Sequence, residues 1–200
     1  MRASFLPCFT AFALATIGAA TPTRAQDTAR EFEGGYVGAE AGLYDQHFYL
    51  ETGGVGTARR GYQRNWSYAG GVFGGYDISV APKLRLGAEL GATLGGGTNT
   101  ALFSATEILS YRSRYGYRLV LRGGFVVTPR LLLYANGGYG GNRYKITNTA
   151  GVGNVHDWGS SFIVGAGAEY RLSPHLGLRF DVKHLDNESS QFFVGLPVRF

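Results

Sequence analysis

Cysteine is almost absent from this chain, and the single one, Cys8, lies among its first ten residues. Arg2, the apolar run that follows it and a small-residue exit ending at Ala25 predict a secretory signal peptide over residues 1–25. We expect cleavage after Ala25, with a site nearer Ala20 as the alternative. Because Cys8 leaves with the signal, the exported chain can form neither an internal disulfide nor a cysteine metal site.

Long apolar runs are missing after residue 25, so no membrane-spanning helix is predicted. Charge is also scarce: charged residues make up 16% of the chain, and loss of Arg2 and Arg24 lowers the formal net charge from +5 to +3. The net charge is only mildly basic and the sequence has no phosphate-binding motif, so a nucleic acid partner is not expected. The four histidines are His47, His156, His175 and His184. No two of them have metal-ligand spacing, so we expect neither a metal site nor a cofactor.

Glycine and aromatic residues are plentiful. The chain has 32 glycines, 13 tyrosines and 13 phenylalanines in 200 residues, whereas average glycine usage is ~7%. A composition so rich in aromatics and so poor in charge is not that of a disordered chain. A membrane protein without spanning helices must be a closed β-barrel, because only a closed sheet satisfies all its backbone polar groups in lipid.

The last ten residues show apolar side chains at every second position. These are Phe192, Val194, Leu196, Val198 and Phe200. At the edge of a soluble sheet such a strand would expose an unpaired hydrophobic edge. As the closing strand of a barrel, the same face meets lipid.

Three turn signals, at Pro82, Pro129 and Pro174, lie 47 and 45 residues apart, and each is flanked by alternating apolar runs. Longer connections are expected near 45–65, 96–112 and 144–159. The pattern predicts an all-β fold, an eight-stranded antiparallel transmembrane β-barrel with short periplasmic turns and longer extracellular loops. We assign residues 34–200 to the barrel and residues 26–33 to a short N-terminal segment.

The two faces of the predicted strands differ in chemistry, one being apolar and the other charged, polar or glycine. Eight strands enclose a space just wide enough for side chains to fill, so the charged face fits the interior. We expect a hydrogen-bonded ionic network in the lumen, because buried charges are tolerable only when they are paired or hydrated. Its expected members are Glu40, Arg85, Glu89, Arg114, Arg118, Arg122, Glu169, Arg171, Arg179, Asp181, Lys183 and Arg199.

Several runs resemble the small outer-membrane barrel superfamily of OmpA-like, opacity-like and Omp25-like proteins. They are residues 34–42, 118–124, 132–138 and 164–174, and the resemblance covers nearly all of residues 34–200. It implies a monomer in the bacterial outer membrane, with the apolar positions from Phe192 to Phe200 acting as a C-terminal signal for the barrel-assembly machinery. Pro197 departs from the family pattern, and we expect a bulge or a lost hydrogen bond there.

The expected function is structural or surface-interacting: envelope integrity and loop-mediated contacts, with no enzymatic activity and no catalytic residues. Membrane lipids and lipopolysaccharide are the expected partners, since arginine forks suit phosphates. The cations expected to contact lipopolysaccharide are Arg59, Arg60, Arg64, Arg112, Arg143 and Lys145, with Arg114 close by.

Two alternatives stay open. A narrow porin-like channel with a basic lumen would use Arg114, Arg118 and Arg122 as an anion-preferring ladder. A lipid-A-modifying hydrolase would need His184 beside Ser189 or Ser190, and Asp186 occupies the position two residues on where a serine is wanted.

Overall fold

The computed structural model describes residues 31–52, 59–102, 108–148, 155–185 and 189–200. The predicted signal peptide and most of the N-terminal segment lie outside these ranges. Within them, no helix is both long and apolar enough to cross a bilayer.

The described residues form an all-β structure of nine strands. These are β1 (Gly34–Thr52), β2 (Arg59–Ala81), β3 (Leu84–Gly95), β4 (Thr98–Leu102), β5 (Ile108–Thr128), β6 (Leu131–Asn148), β7 (Val155–Arg171), β8 (Gly177–Leu185) and β9 (Ser189–Arg199). Strands β3 and β4 are two parts of one strand, since both pair with β5. The break between them needs glycine, because Gly95 and Gly96 adopt φ angles of 96° and 109°.

The sheet closes on itself as an eight-stranded antiparallel barrel, because β3 pairs with β5 as well as with β2. Following register partners once round the ring leads from Tyr36 to Gln46, ten residues further along β1. The path runs Tyr36, Gly75, Glu89, Val120, Gly138, Ile163, Leu185, Ser189 and Gln46. With ordinary strand spacings, that offset tilts the strands by about 41° and gives a backbone radius of about 8 Å.

The two faces of the wall have inverted polarity relative to a soluble barrel. On β3, for example, Glu89 is 3% exposed and its neighbour Leu90 is 60% exposed. The same alternation runs through β8 and β9. The predicted assignment of apolar side chains to the outside and charged ones to the inside is confirmed at these positions, and the outer wall is chemically suited to lipid.

The predicted loop boundaries were wrong. Much of the expected connections at 45–65, 96–112 and 144–159 is strand, with β1 continuing to Thr52 and β2 starting at Arg59. An antiparallel hairpin can continue beyond the bilayer because its backbone hydrogen bonds remain paired there. Both of its faces then meet water, so the apolar alternation that marks a membrane strand no longer signals it.

Pro197 interrupts the ladder between β8 and β9, as expected from its missing N–H. The regular pairs end at Arg179 and Gly195, and an isolated bridge joins Leu176 to Val198 beyond the gap. The register is the same on both sides of the gap, so a hydrogen bond is lost and no bulge forms.

The lipid-facing wall generates a depth-dependent prediction. Leu121 is 70% exposed near the middle of β5, and Leu84 is exposed at the turn end of β3. Leu121→Arg should lower the free energy of unfolding in phospholipid vesicles by about 2–4 kcal/mol, whereas Leu84→Arg should cost about 0–1 kcal/mol, because arginine near the interface keeps its hydration. Urea titration of both variants measures the difference. Equal costs would contradict the placement of the bilayer.

Candidate functional site

Ten charged side chains fill the barrel interior, and they balance. Apart from Arg85 at the turn end and Asp45 on the outer face, the buried charges among the described residues are five cations and five anions, each at most 6% exposed. They are Arg118, Arg122, Arg179, Lys183, Arg199, Glu40, Asp77, Glu89, Glu169 and Asp181. Desolvating so many charges is costly unless each finds opposite charge and hydrogen bonds. Their equal numbers satisfy the first condition, and we call this set the lumen network.

Glu89 of β3 is the centre of the lumen network. It accepts hydrogen bonds from Arg179 Nη1 at 2.5 Å, from Arg118 Nη2 at 3.1 Å and from the Tyr36 hydroxyl at 3.1 Å. Arg122 Nη1 lies 3.8 Å from the same carboxylate. One carboxylate thus joins three arginines that lie on two different strands.

Above Glu89, towards the longer connections, Arg118 and Glu40 form a two-pronged ion pair. Arg118 Nη1 and Nη2 donate to the two oxygens of Glu40 at 2.7 and 3.1 Å. The guanidinium lies against Gly91, its register partner on β3, where an added Cβ would come within 2.5 Å of Arg118 Cζ. A side chain at position 91 would therefore displace the guanidinium from its place beside Glu40.

On β8, Asp181 links Arg179 to one further cation of the lumen network, Lys183. Its carboxylate lies 2.5 Å from Arg179 Nε and 3.3 Å from Lys183 Nζ. The spacing of two residues along β8 places all three side chains on the inner face.

Below Glu89, Arg199 and Arg122 hold the other two carboxylates. Arg199 donates to Glu169 from Nε at 2.7 Å and to Asp77 from Nη2 at 2.9 Å. Arg122 Nη2 donates to Glu169 at 3.0 Å. These bonds connect the last strand to β2, β5 and β7 through the interior.

Aromatic rings separate the layers of charge. The guanidiniums of Arg179 and Arg122 stack 3.9 Å from the ring centroids of Phe73 and Tyr134, respectively. Arg199 lies 4.7 Å from the ring of Tyr36. Cation–π contacts of this kind strengthen when water is excluded, so the rings both fill space and stabilise the charges.

The turn end of the barrel is closed by the residues that precede β1. Phe32 is 1% exposed and packs against Val126, Leu132 and Tyr134. Its carbonyl accepts a hydrogen bond from Arg199 Nη1 at 2.9 Å. Phe32 adopts a φ of 64°, which is unfavourable for a bulky side chain and must be offset by this packing.

Two more arginines bind Glu31, in the segment before β1, at the turn end of the barrel. Arg85 Nε donates to the Glu31 carbonyl at 2.6 Å, and its Nη1 donates to the carbonyls of Ala81 and Leu84. Arg171 forms an ion pair with the Glu31 carboxylate. Arg85 and Arg171 were expected in the lumen network, and the structure places them at its mouth instead.

The prediction for Arg114 was wrong, because its side chain is exposed on the outside of the barrel rather than buried in the lumen. The pairing of β5 with β6 shifts between Ser113 and Tyr115, and Ser113 takes the buried place. A β-bulge reverses the inward and outward positions beyond it, which strict alternation cannot foresee. Asp77 and Tyr36 were not included in the expected network, although their inward position could have identified both.

His184 and Ser190 are brought together on the outer wall, where His184 Nδ1 lies 3.0 Å from Ser190 Oγ. A hydrolase also needs an acid to orient the imidazole. Asp186 and Glu188 lie outside the described residues, and none of the described carboxylates accepts a hydrogen bond from the His184 ring. Within the same ranges, no group of three or more His, Cys, Asp or Glu could hold a metal ion.

Aromatic side chains ring the outer wall at the end opposite the short turns. Trp158 contacts Tyr115 and Tyr117 at centroid distances of 5.7 Å. On the far side of the barrel, Trp66 contacts Phe192 at 5.8 Å. Such a belt marks the membrane interface, since these rings favour the headgroup level.

A closed antiparallel ring with an apolar outer wall, a charged interior and an aromatic belt defines a transmembrane β-barrel of the bacterial outer membrane. The chain belongs to the outer membrane protein beta-barrel domain family, whose model matches residues 10–200.

Sequence relatives agree with that assignment. The chain is 30% identical over 188 residues to outer membrane protein P5 of Haemophilus influenzae, covering 88% of this chain and 51% of that protein. P5 of the Rd strain is 32% identical over 186 residues, covering 88% of this chain and 50% of the relative. The chain therefore spans about half the length of these relatives.

Solved barrels share the fold. The attachment invasion locus protein Ail of Yersinia pestis superposes with a TM-score of 0.52 at 15% identity, over 84% of this chain and 99% of that one. Neisserial surface protein A gives a TM-score of 0.50 at 16% identity, over 84% and 97%.

The lumen network generates a stability prediction. Glu89→Gln keeps the side-chain volume but leaves three arginines without their shared charge, so it should lower the free energy of unfolding by about 3–5 kcal/mol. The matched control is Glu33→Gln, the same change at a side chain that is exposed, and it should cost less than about 1 kcal/mol. Urea titration in vesicles measures both, and similar costs would show that Glu89 is not the electrostatic centre.

Proposed function

We propose that this protein is a non-conducting structural barrel of the outer membrane that supports envelope integrity and presents its hairpins to the exterior. The observation that carries the proposal is the balanced lumen network. Its ten charges are buried against one another and against aromatic rings, so the interior is a packed core. This core stabilises the barrel, as apolar packing stabilises a soluble protein.

The alternative of a narrow channel with a basic lumen has weak support. Of the three arginines expected to form an anion ladder, Arg118 and Arg122 are each bonded to carboxylates. Arg114, the third, is exposed outside the lumen. The ten charges of the lumen network sum to zero, so the network itself offers no excess of positive charge to an anion.

Strand length supports the role of surface presentation. A tilted strand needs about 9–11 residues to cross a bilayer, and β2 has 23. From Trp66 in the aromatic belt, β2 continues for seven residues to Arg59. With a rise of about 2.5 Å per residue along the barrel axis, that hairpin reaches about 17 Å beyond the belt. The extension provides surface for partners outside the cell.

We further propose that the barrel is a monomer, that it contacts lipopolysaccharide, and that the barrel-assembly machinery reads its C-terminal strand. All five apolar positions from Phe192 to Phe200 face outward. In that arrangement a receptor can bind them before the strand joins β1 and β8. No catalytic role is assigned to the contact between His184 and Ser190.

Conductance tests the closed interior. Folded protein, identified by a gel mobility that changes on boiling, should give no current in a planar bilayer. Removing the ion pair above Glu89 with Glu40→Ser and Arg118→Ser should open a hydrated path and produce small discrete steps. The paired control is Asp45→Ser with Arg64→Ser, which removes an ion pair from the outer wall and should stay silent. Discrete currents through the folded wild type would refute the proposal.

A further inference from the structure

Four cationic side chains gather on the outer wall at the extracellular end of β5 and β6. They are Arg112, Arg114, Arg143 and Lys145, which we call the outer-wall basic patch. Arg112 and Arg114 are exposed, and Arg143 and Lys145 are partly exposed. The bulge between Ser113 and Tyr115 contributes to the patch, because it leaves Arg114 outside the lumen.

The register places two of these cations directly opposite each other. Arg112 pairs with Lys145, and like charges at opposed positions destabilise a sheet unless something neutralises them. The outer neighbours of this pair are Thr98 on β4 and His156 on β7. Neither is acidic, so these two register neighbours do not neutralise the pair.

Arg143 is the next outward-facing residue on β6, two positions before Lys145. It pairs with Tyr115 on one side and with Trp158 on the other, and its guanidinium lies 5.8 Å from the Trp158 ring centroid. None of the ion pairs formed within the described ranges includes a member of the patch. The patch therefore keeps its positive charge.

A cation elsewhere on the same rim shows the contrasting arrangement. Arg64 donates three hydrogen bonds to Asp45 at 2.8 to 3.1 Å, and its guanidinium lies 5.3 Å from the Trp66 ring. An arginine beside a belt tryptophan can thus be neutralised by the barrel itself. The register partners of Arg143 are instead two aromatic residues, Tyr115 and Trp158.

The depth and chemistry of the patch indicate its ligand. It begins at the row that holds Tyr115 and Trp158 in the aromatic belt, which lies at the level of lipid headgroups. Arginine forks and lysine ammonium groups bind phosphate through charge-assisted hydrogen bonds. Because the patch faces away from the lumen and adjoins the belt, a membrane lipid reaches it from the side.

We infer that the outer-wall basic patch binds the phosphate groups of a phosphorylated glycolipid in the outer leaflet, with Arg112 and Lys145 sharing one phosphate. The inference deepens the proposed lipopolysaccharide contact and rests on it. It does not rest on the closed lumen, so current through the folded wild type would remove the structural-core proposal and leave this one intact.

Lipid titration tests the site. The barrel carrying Trp66→Phe, in which Trp158 is the remaining tryptophan, is placed in phosphatidylcholine nanodiscs. Diphosphoryl lipid A is added while Trp158 fluorescence is recorded. Arg112→Gln with Lys145→Gln should weaken binding roughly tenfold or more, since two charge-assisted contacts are lost. Arg64→Gln, the matched control, should change the affinity less than about twofold, since Asp45 already neutralises that arginine.

Other ligands distinguish the sources of phosphate. Dephosphorylated lipid A should bind no better than the double variant binds the diphosphoryl form, and inorganic phosphate should not displace the lipid at equal concentration. Unchanged binding by the double variant, or an equal loss in Arg64→Gln, would overturn the inference. Displacement by inorganic phosphate would show a soluble-anion site instead. If the double variant does not fold, as judged by gel mobility, Lys145→Gln alone should weaken binding roughly threefold.

Discussion

Closure of the sheet is the constraint on which the rest of the structure depends. A bilayer offers no partner to an unpaired N–H or carbonyl, so every strand within it must have two neighbours. In this chain the pairing of β3 with β5 completes the ring, and the ten-residue offset from Tyr36 to Gln46 determines its width. A ring of that width with an apolar exterior has to place its charges inside, where they must neutralise one another.

The lumen network replaces the hydrophobic core of a soluble domain. It connects strands that are not neighbours in the wall, as Arg199 does when it bonds to Glu169 on β7 and Asp77 on β2. The segment before β1 extends the same principle, since Phe32 supplies an apolar ring to Arg171 and Arg199 and a carbonyl to Arg199. The outer wall follows a different rule, because lipid supplies the contacts there. Arg64 on that wall has an acid of the barrel as its partner.

Much of the fold follows from local patterns. The three proline turns, the inward and outward positions and the break in the ladder at Pro197 depend on neighbours in sequence or on one missing N–H. The members of the candidate site were harder to predict from the sequence. Strict alternation placed Arg114 in the lumen, because nothing in the local sequence indicates the β-bulge between Ser113 and Tyr115. It also placed Arg85 and Arg171 in the network. Alternation along a strand predicts which face a side chain lies on, but not how far along the barrel axis its partners are.

Away from the bulge at Ser113, the sequence by itself determined which side chains face lipid and which face the interior, because side chains in a strand alternate between its two faces. It also determined the class of protein and the membrane that holds it. Only the tertiary structure decided which charge meets which. Arg118 reaches Glu40 across 78 residues, and Arg199 reaches Phe32 across 167. Such pairs depend on how the ring closes, and closure is a property of all the strands together.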